Sequence, residues 1–227
     1  RDAQMKKLET EYLIPIRSHL TAYLQARSEE SSQESAYLEG LSAFYGGDYP
    51  RALERAQIAL GHSSWFYEAR LLEGDVYTAW GKQKAAGGKY DEANDLWAKA
   101  EIAFEAAARI GPSNPQAPLG LARKWSMILK GEVYKGKRAE EPIEKLLAAC
   151  DRVLVLDPDH AEACLMKATG YWRLGEARAR HDEDPADALD QAASWAQRAT
   201  TANPTLVEAY RVQGSIFRTR GRYELDR

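Results

Sequence analysis

Four phrases recur along the chain, YEARLLEG, PQAPLGLA, AEACLMKA and VEAYRVQG, each running into a glycine or alanine within a helix-forming stretch. Their shared alanines are Ala69, Ala117, Ala163 and Ala209, at intervals of 48, 46 and 46 residues. An earlier copy, ESAYLEGL, sets Gly40 a full 34 residues before Gly74. A chain that repeats itself in this way builds its core by stacking each copy on its neighbours. Few architectures accept that constraint.

The residues filling the repeats narrow the choice. Alanine, leucine, glutamate, lysine and arginine dominate while valine, isoleucine and threonine are sparse, which favours helix throughout. With 31 basic against 34 acidic side chains the formal charge is −3, so no global field is available for a polyanion and nucleic acid is disfavoured as the main partner. Two cysteines, Cys150 and Cys164, are too few for a disulfide framework and suit a reduced, cytoplasmic setting. The longest apolar stretches, such as LLAACDRVLVL, are broken by charge and too short to span a bilayer. Opening on Arg1 and closing on GRYELDR, the sequence reads as a piece of a larger protein.

The 34-residue interval, a small residue within the first helix, a Gly-x-Tyr turn and a run of spaced alanines resemble the tetratricopeptide repeat. In the first copy these are Gly40, then Gly47 and Tyr49, then Ala52, Ala56 and Ala59. Gly74, Ala122, Ala168 and Gly214 take the first role in later copies, and Pro112, Pro158 and Pro204 stand in the family's inter-repeat proline column, where the first copy has Ser64. Pro118 and Cys164 depart from a column that often holds tryptophan. The resemblance implies an all-α, right-handed alpha-solenoid of antiparallel helical hairpins. Its copies would be 33–66, 67–114, 115–160, 161–206 and a partial 207–227, with 1–32 supplying the second helix of a truncated preceding copy and the loop SEESSQES. Pro15 would sit in that helix's first turn.

Several copies exceed the family length. Gly87, Gly88 and Tyr90 reproduce the turn of the second copy, so its 14 extra residues fall within its two helices, about two turns on each. The next two copies are 12 residues over length, with Pro142 and Pro185 suited to the first turn of a second helix. Asp184 can cap that last helix, which explains HDEDPAD better than a metal loop does, and KGKRAEEPIEK reads as a solvated turn.

A second resemblance rests on the phrases WFYEARLLEGDVYTAWG, GGKYDEANDLWAKAEIAFEAA and CDRVLVLDPDHAEACLMKATGYWRLGE, which are similar to the C-terminal repeat regions of bacterial Ser/Thr kinases of eukaryotic type. It implies a regulatory or substrate-docking segment behind a kinase domain. The chain has no Gly-rich phosphate loop, HRD or DFG, and no HExxH, GxxxxGK[ST] or GxSxG, so neither an enzyme nor a cofactor or metal site is expected within it. His19, His62, His160 and His181 are scattered among separate copies, with His160 in a loop. The six tryptophans, Trp65, Trp80, Trp97, Trp125, Trp172 and Trp195, are expected mostly in the core, with Trp172 turned toward the groove.

The family usually binds peptides or helices in the concavity lined by its first helices. Mapped residue by residue, that groove would hold Tyr37, Leu41 and Tyr45, then Leu71 and Asp75, then Arg123 and Met127, then Thr169 and Arg173, then Arg211 and Arg218. The series runs from aromatic to basic, implying a protein segment with an apolar end and an acidic end. Tyr37, Leu41, Leu71 and Asp75 stand where chaperone-tail clamps need lysine and asparagine, which disfavours that ligand.

Overall fold

The structure, a computed structural model, describes residues 7, 9–26, 32–134 and 139–225. Among them there is no strand, and ten α-helices follow a single π-helical segment, Glu9–Leu13. The helices are α1 (Ile14–Ala26), α2 (Ser32–Tyr45), α3 (Tyr49–His62), α4 (Tyr67–Ala86), α5 (Tyr90–Ile110), α6 (Gln116–Tyr134), α7 (Glu140–Leu156), α8 (Ala161–Arg180), α9 (Ala186–Ala202) and α10 (Val207–Leu225). They form two compact units, Arg1–Pro112 and Ser113–Arg227, each described by itself below.

In the N-terminal unit α2 pairs with α3 and α4 with α5. Both hairpins turn through a glycine in the left-handed region, Gly47 at φ 76° and Gly88 at φ 79°. The amides of Asp48 and Lys89 then reach back to the carbonyls of Ala43 and Lys84, closing each first helix. Asp48 goes on to cap α3, its carboxylate accepting the Arg51 amide at 3.3 Å. Ala52, Ala56 and Ala59 are buried, which keeps the α3 seam narrow. The extra length of the second hairpin lies in its helices: α4 and α5 have 20 and 21 residues against 14 each in α2 and α3. At 1.5 Å per residue that is about 10 Å of added height. Two glycines let α5 approach α4, since a Cβ on Gly74 would lie 2.6 Å from the Phe104 ring and one on Gly81 2.4 Å from Trp97.

In the C-terminal unit α6 pairs with α7 and α8 with α9, and α10 packs on α8 and α9. The α8 to α9 turn repeats the left-handed step without glycine: Asp182 has φ 57°, and the Glu183 amide donates to the Arg178 carbonyl. Between hairpins one short turn recurs. The amides of Phe66, His160 and Leu206 donate to the carbonyls of Ser63, Asp157 and Asn203, with Ser64, Pro158 and Pro204 as the next residue of each turn. Proline fits there because that amide has no helical partner.

Several sequence expectations change. Gly214 on α10 meets nothing within 4 Å, because no described helix covers the face that Gly74 presents in α4. Pro185 stands at the cap position of α9 rather than in its first turn, while Asp184 accepts the Ala186 amide at 2.9 Å. His160 does more than fill a loop: its Nδ1 accepts the Ala163 amide at 3.2 Å and caps α8. Of SEESSQES, residues 32–35 belong to α2 and 28–31 lie outside the described residues. Of KGKRAEEPIEK, 140–145 belong to α7 and 135–138 lie outside. Trp65 is 74% exposed on the turn before α4 rather than in the core.

Candidate interaction site

The two units bring together different parts of the expected groove. In the N-terminal unit Tyr37 lies at the meeting of α2 and α4. Its ring sits 5.2 Å from Phe66, and burial, then the negative charge of Glu68, then Tyr45 and Asp75 push its hydroxyl up to about 12. Leu41 packs against the cluster of Ala52, Leu53, Ala56, Leu72 and Val76. Tyr37, Leu41 and Leu71 are half-buried, so their role in folding is already spoken for, whereas Tyr45 and Asp75 are exposed. The aromatic half of the expected groove is therefore narrower at the surface than in the sequence.

In the C-terminal unit the arginines meet carboxylates. Arg123 on α6 forks onto Glu162 of α8, with nitrogen to oxygen distances of 2.7 and 2.6 Å, and this bidentate pair holds the Glu162 carboxyl below the usual range. Arg173 stacks 3.9 Å over Trp172 and donates to Glu176 at 2.7 Å. Arg211 is bonded to Glu208, which lowers the glutamate's pKa and raises the arginine's. Met127 and Thr169 are half-buried, the Thr169 hydroxyl donating to the Leu165 carbonyl. Arg218 is exposed, and its nearest hydrogen-bond partner is the Ser215 hydroxyl at 3.5 Å. Three of the four arginines of the basic column are thus paired with carboxylates where they stand.

Arg218 opens onto a cavity of about 400 Å³ between α8 and α10. Trp172, Glu176, Arg180, Asp182, Arg222 and Tyr223 line it as well, so three guanidiniums share it with two carboxylates. Arg180 is tied to Glu176 at 3.2 Å, while the Arg218 guanidinium donates to the Ser215 hydroxyl and, among the described residues, no ion pair joins Arg218 or Arg222 to a carboxylate. Sequence reasoning missed Arg222, although its position four residues after Arg218 on one helix was a usable signal. A smaller cavity of about 180 Å³ lies between α7 and α8, where Arg173, Arg178 and His181 face Ile143.

Trp172 corrects its own expectation. It is only 5% exposed, packed among Leu189, Ala192, Val212 and Ile216, with its indole N–H donating to the Thr219 hydroxyl at 3.0 Å. One edge reaches the cavity and the rest is core. Lys167 is also buried, bonded to Asp151 and lying 4.0 Å over the Trp195 ring, which satisfies its charge at the α7 to α8 junction.

Cys150 and Cys164 are buried free thiols at the same junction. Burial pushes Cys150 up to about 12 against the opposing pull of Lys167, and burial likewise raises Cys164. Both therefore stay protonated and poorly nucleophilic at pH 8. A disulfide reagent should label neither thiol in the native chain at pH 8 and both promptly in denaturant. Rapid native labelling of either would show that the junction opens readily. Among the described residues no three His, Cys, Asp or Glu side chains are grouped to hold a metal ion, and no helix is long and apolar enough to cross a membrane.

No protein-family model matches the sequence, and no curated protein matches it. The fold has solved counterparts. The structure is similar to a thermophilic TPR protein of Thermus thermophilus, with TM-score 0.68 and 15% identity over 95% of this chain and 94% of that one. It is also similar to a MamA protein, TM-score 0.60, 16% identity, over 85% of this chain and 84% of the other. A tetratricopeptide repeat protein from Parabacteroides merdae aligns at TM-score 0.53 and 20% identity over 85% and 62%. The chain accordingly has the tetratricopeptide fold, an alpha-solenoid of antiparallel hairpins, and at these identities the likeness extends to the fold alone.

Proposed function

We propose that the chain is a non-catalytic scaffold that holds a protein or peptide segment against the first helices of its hairpins. The observation that carries this reading is the cavity between α8 and α10. There Arg218 and Arg222, outnumbering with Arg180 the carboxylates of Glu176 and Asp182, stand beside the Trp172 edge and Tyr223. That combination favours a segment offering a carboxylate next to an apolar or aromatic side chain, the first for the guanidiniums and the second for the ring edge. At about 400 Å³ the cavity suits one or two side chains rather than a whole helix. Arg123, Arg173 and Arg211 must release Glu162, Glu176 and Glu208 before they can serve a ligand, so they frame the surface more than they grip it. In the N-terminal unit Tyr45 and Asp75 offer a separate contact.

Selection of a random peptide library on the purified chain tests this. The expected consensus has Asp or Glu beside an aromatic or large aliphatic residue, and a selected peptide should bind the Arg218→Glu/Arg222→Glu variant at least about tenfold more weakly, roughly 1.4 kcal/mol, with unchanged circular dichroism. A consensus without acid, or equal binding by the variant, overturns the reading.

A second reading is favoured by the phrase order in residues 65–81, 87–107 and 150–176: the array as the regulatory or substrate-docking region of a larger bacterial Ser/Thr protein kinase. A catalytic domain encoded in the same reading frame is its signature, and a frame without one removes it.

A further inference from the structure

The smaller cavity between α7 and α8, about 180 Å³, stands apart from the peptide site: it shares Arg180 with the larger one, but neither Arg218 nor Arg222 lines it. Its ionisable lining sorts by depth. Arg173 and Arg178 are half-buried, whereas Glu140, Glu183, Arg180 and His181 are exposed. The inner charges are therefore positive, and the two carboxylates stand at a rim where water and salt screen them. Ile143, Leu174 and Ala177 supply apolar wall, which keeps the local dielectric low and strengthens the field of the inner cations.

The cations are held in place by their neighbours. Arg173 stacks 3.9 Å over Trp172 and is braced by Glu176 at 2.7 Å, and Arg180 is tied to the same carboxylate at 3.2 Å. One carboxylate thus serves two guanidiniums, so the trio keeps a net positive charge. Among the described residues no ion pair joins Arg178 to a carboxylate. Its backbone is fixed all the same, because its carbonyl accepts the amides of His181 and Glu183 and so fastens the rim to the end of α8. Helical spacing accounts for the convergence: residues 174, 178 and 181 follow one stripe of α8 and 173, 177 and 180 the stripe beside it.

We propose that this cavity binds a single phosphoryl group, with the Arg178 guanidinium forked onto two of its oxygens, Arg173 and Arg180 supplying positive field from the wall, and His181 donating from the rim. The volume is below the roughly 300–1,000 Å³ of pockets that enclose drug-sized ligands, which suits one oxyanion rather than a nucleotide. A tetrahedral oxyanion also meets cations arriving from several directions better than a planar carboxylate does. Inorganic phosphate and a phosphorylated side chain present the same chemistry.

Calorimetric titration of the whole chain with inorganic phosphate, phosphoserine and acetate, at constant ionic strength in a phosphate-free buffer, tests the proposal. Phosphate or phosphoserine should saturate one site, with acetate at least about tenfold weaker. Tighter binding of phosphoserine supports the site with a phosphorylated partner as its source, and tighter binding of inorganic phosphate supports it with the free ion. The Arg178→Gln chain should bind at least about tenfold more weakly at an unchanged urea midpoint. Ala177→Leu, which fills the cavity and alters no charge, should lose as much. Lys145→Gln removes an equal charge from an exposed position of α7 outside the cavity and should bind as the parent does. Failure to saturate, acetate binding as tightly as phosphate, or equal losses in Arg178→Gln and Lys145→Gln overturns the proposal.

Discussion

Replacing Phe104 by alanine should destabilise the N-terminal unit by about 3–5 kcal/mol, the range for removing a buried aromatic ring. Phe104 is 1% exposed, and its ring fills the gap left by Gly74. The complementary change, Gly74→Ala, puts a Cβ 2.6 Å from the Phe104 ring, so something must shift, and overpacking of this kind costs about 1–3 kcal/mol. The two substitutions touch one contact, so they should not add. In the double variant the new methyl enters the space vacated by the ring, and urea denaturation should return a coupling of about 0.5–3 kcal/mol in favour of the pair. Because a repeat array distributes its stability between neighbours, amide exchange should quicken chiefly in α4 and α5. Strict additivity would mean that Gly74 is not where Phe104 makes its living contact.

The parts of this fold that were legible in the sequence are those set by spacing along one helix or across one turn. Gly47 and Gly88 announce hairpin turns because left-handed backbone favours glycine, and the prolines mark the links between hairpins because they cannot donate an amide. Asp182 makes the same turn unannounced, since aspartate tolerates the left-handed region without requiring it. What escaped was pairing over distance. Arg123 and Glu162 lie 39 residues apart, and their fork exists only once α6 and α8 lie side by side. A column of arginines therefore looked basic in sequence and is mostly neutralised in space. Trp65 and Trp172 show the same limit from the apolar side. Each is a tryptophan in a helical repeat, yet only the neighbouring helices decide that one is bare and the other enclosed.

Trp172→Ala should cost the C-terminal unit about 3–5 kcal/mol, the other large effect expected in this chain. Its indole bridges three helices: it leaves α8, lies against Leu189, Ala192 and Ala196 of α9, and reaches Val212 and Ile216 of α10. Truncation removes that common filling, and it also strips Arg173 of the ring it stacks on, worth about 0.5–1 kcal/mol at a partly exposed site. Trp172→Phe separates packing from polarity. Phenylalanine retains most of the apolar ring but not the N–H that donates to the Thr219 hydroxyl, so the hydrogen bond accounts for about 0.5–1.5 kcal/mol of its cost. Thr219 is not stranded by the change, since its hydroxyl also donates to the Ser215 carbonyl at 3.0 Å. Thermal or urea denaturation should therefore place the phenylalanine variant much nearer the parent than the alanine variant. If both fall equally far, the indole N–H rather than the ring holds α8 to α10. The same pair of variants reaches function, because the Trp172 edge that lines the cavity moves only if the ring behind it does. A phenylalanine variant that keeps its stability yet binds the selected acidic peptide more weakly would assign the edge to the ligand, whereas unchanged affinity would leave recognition to Arg218 and Arg222.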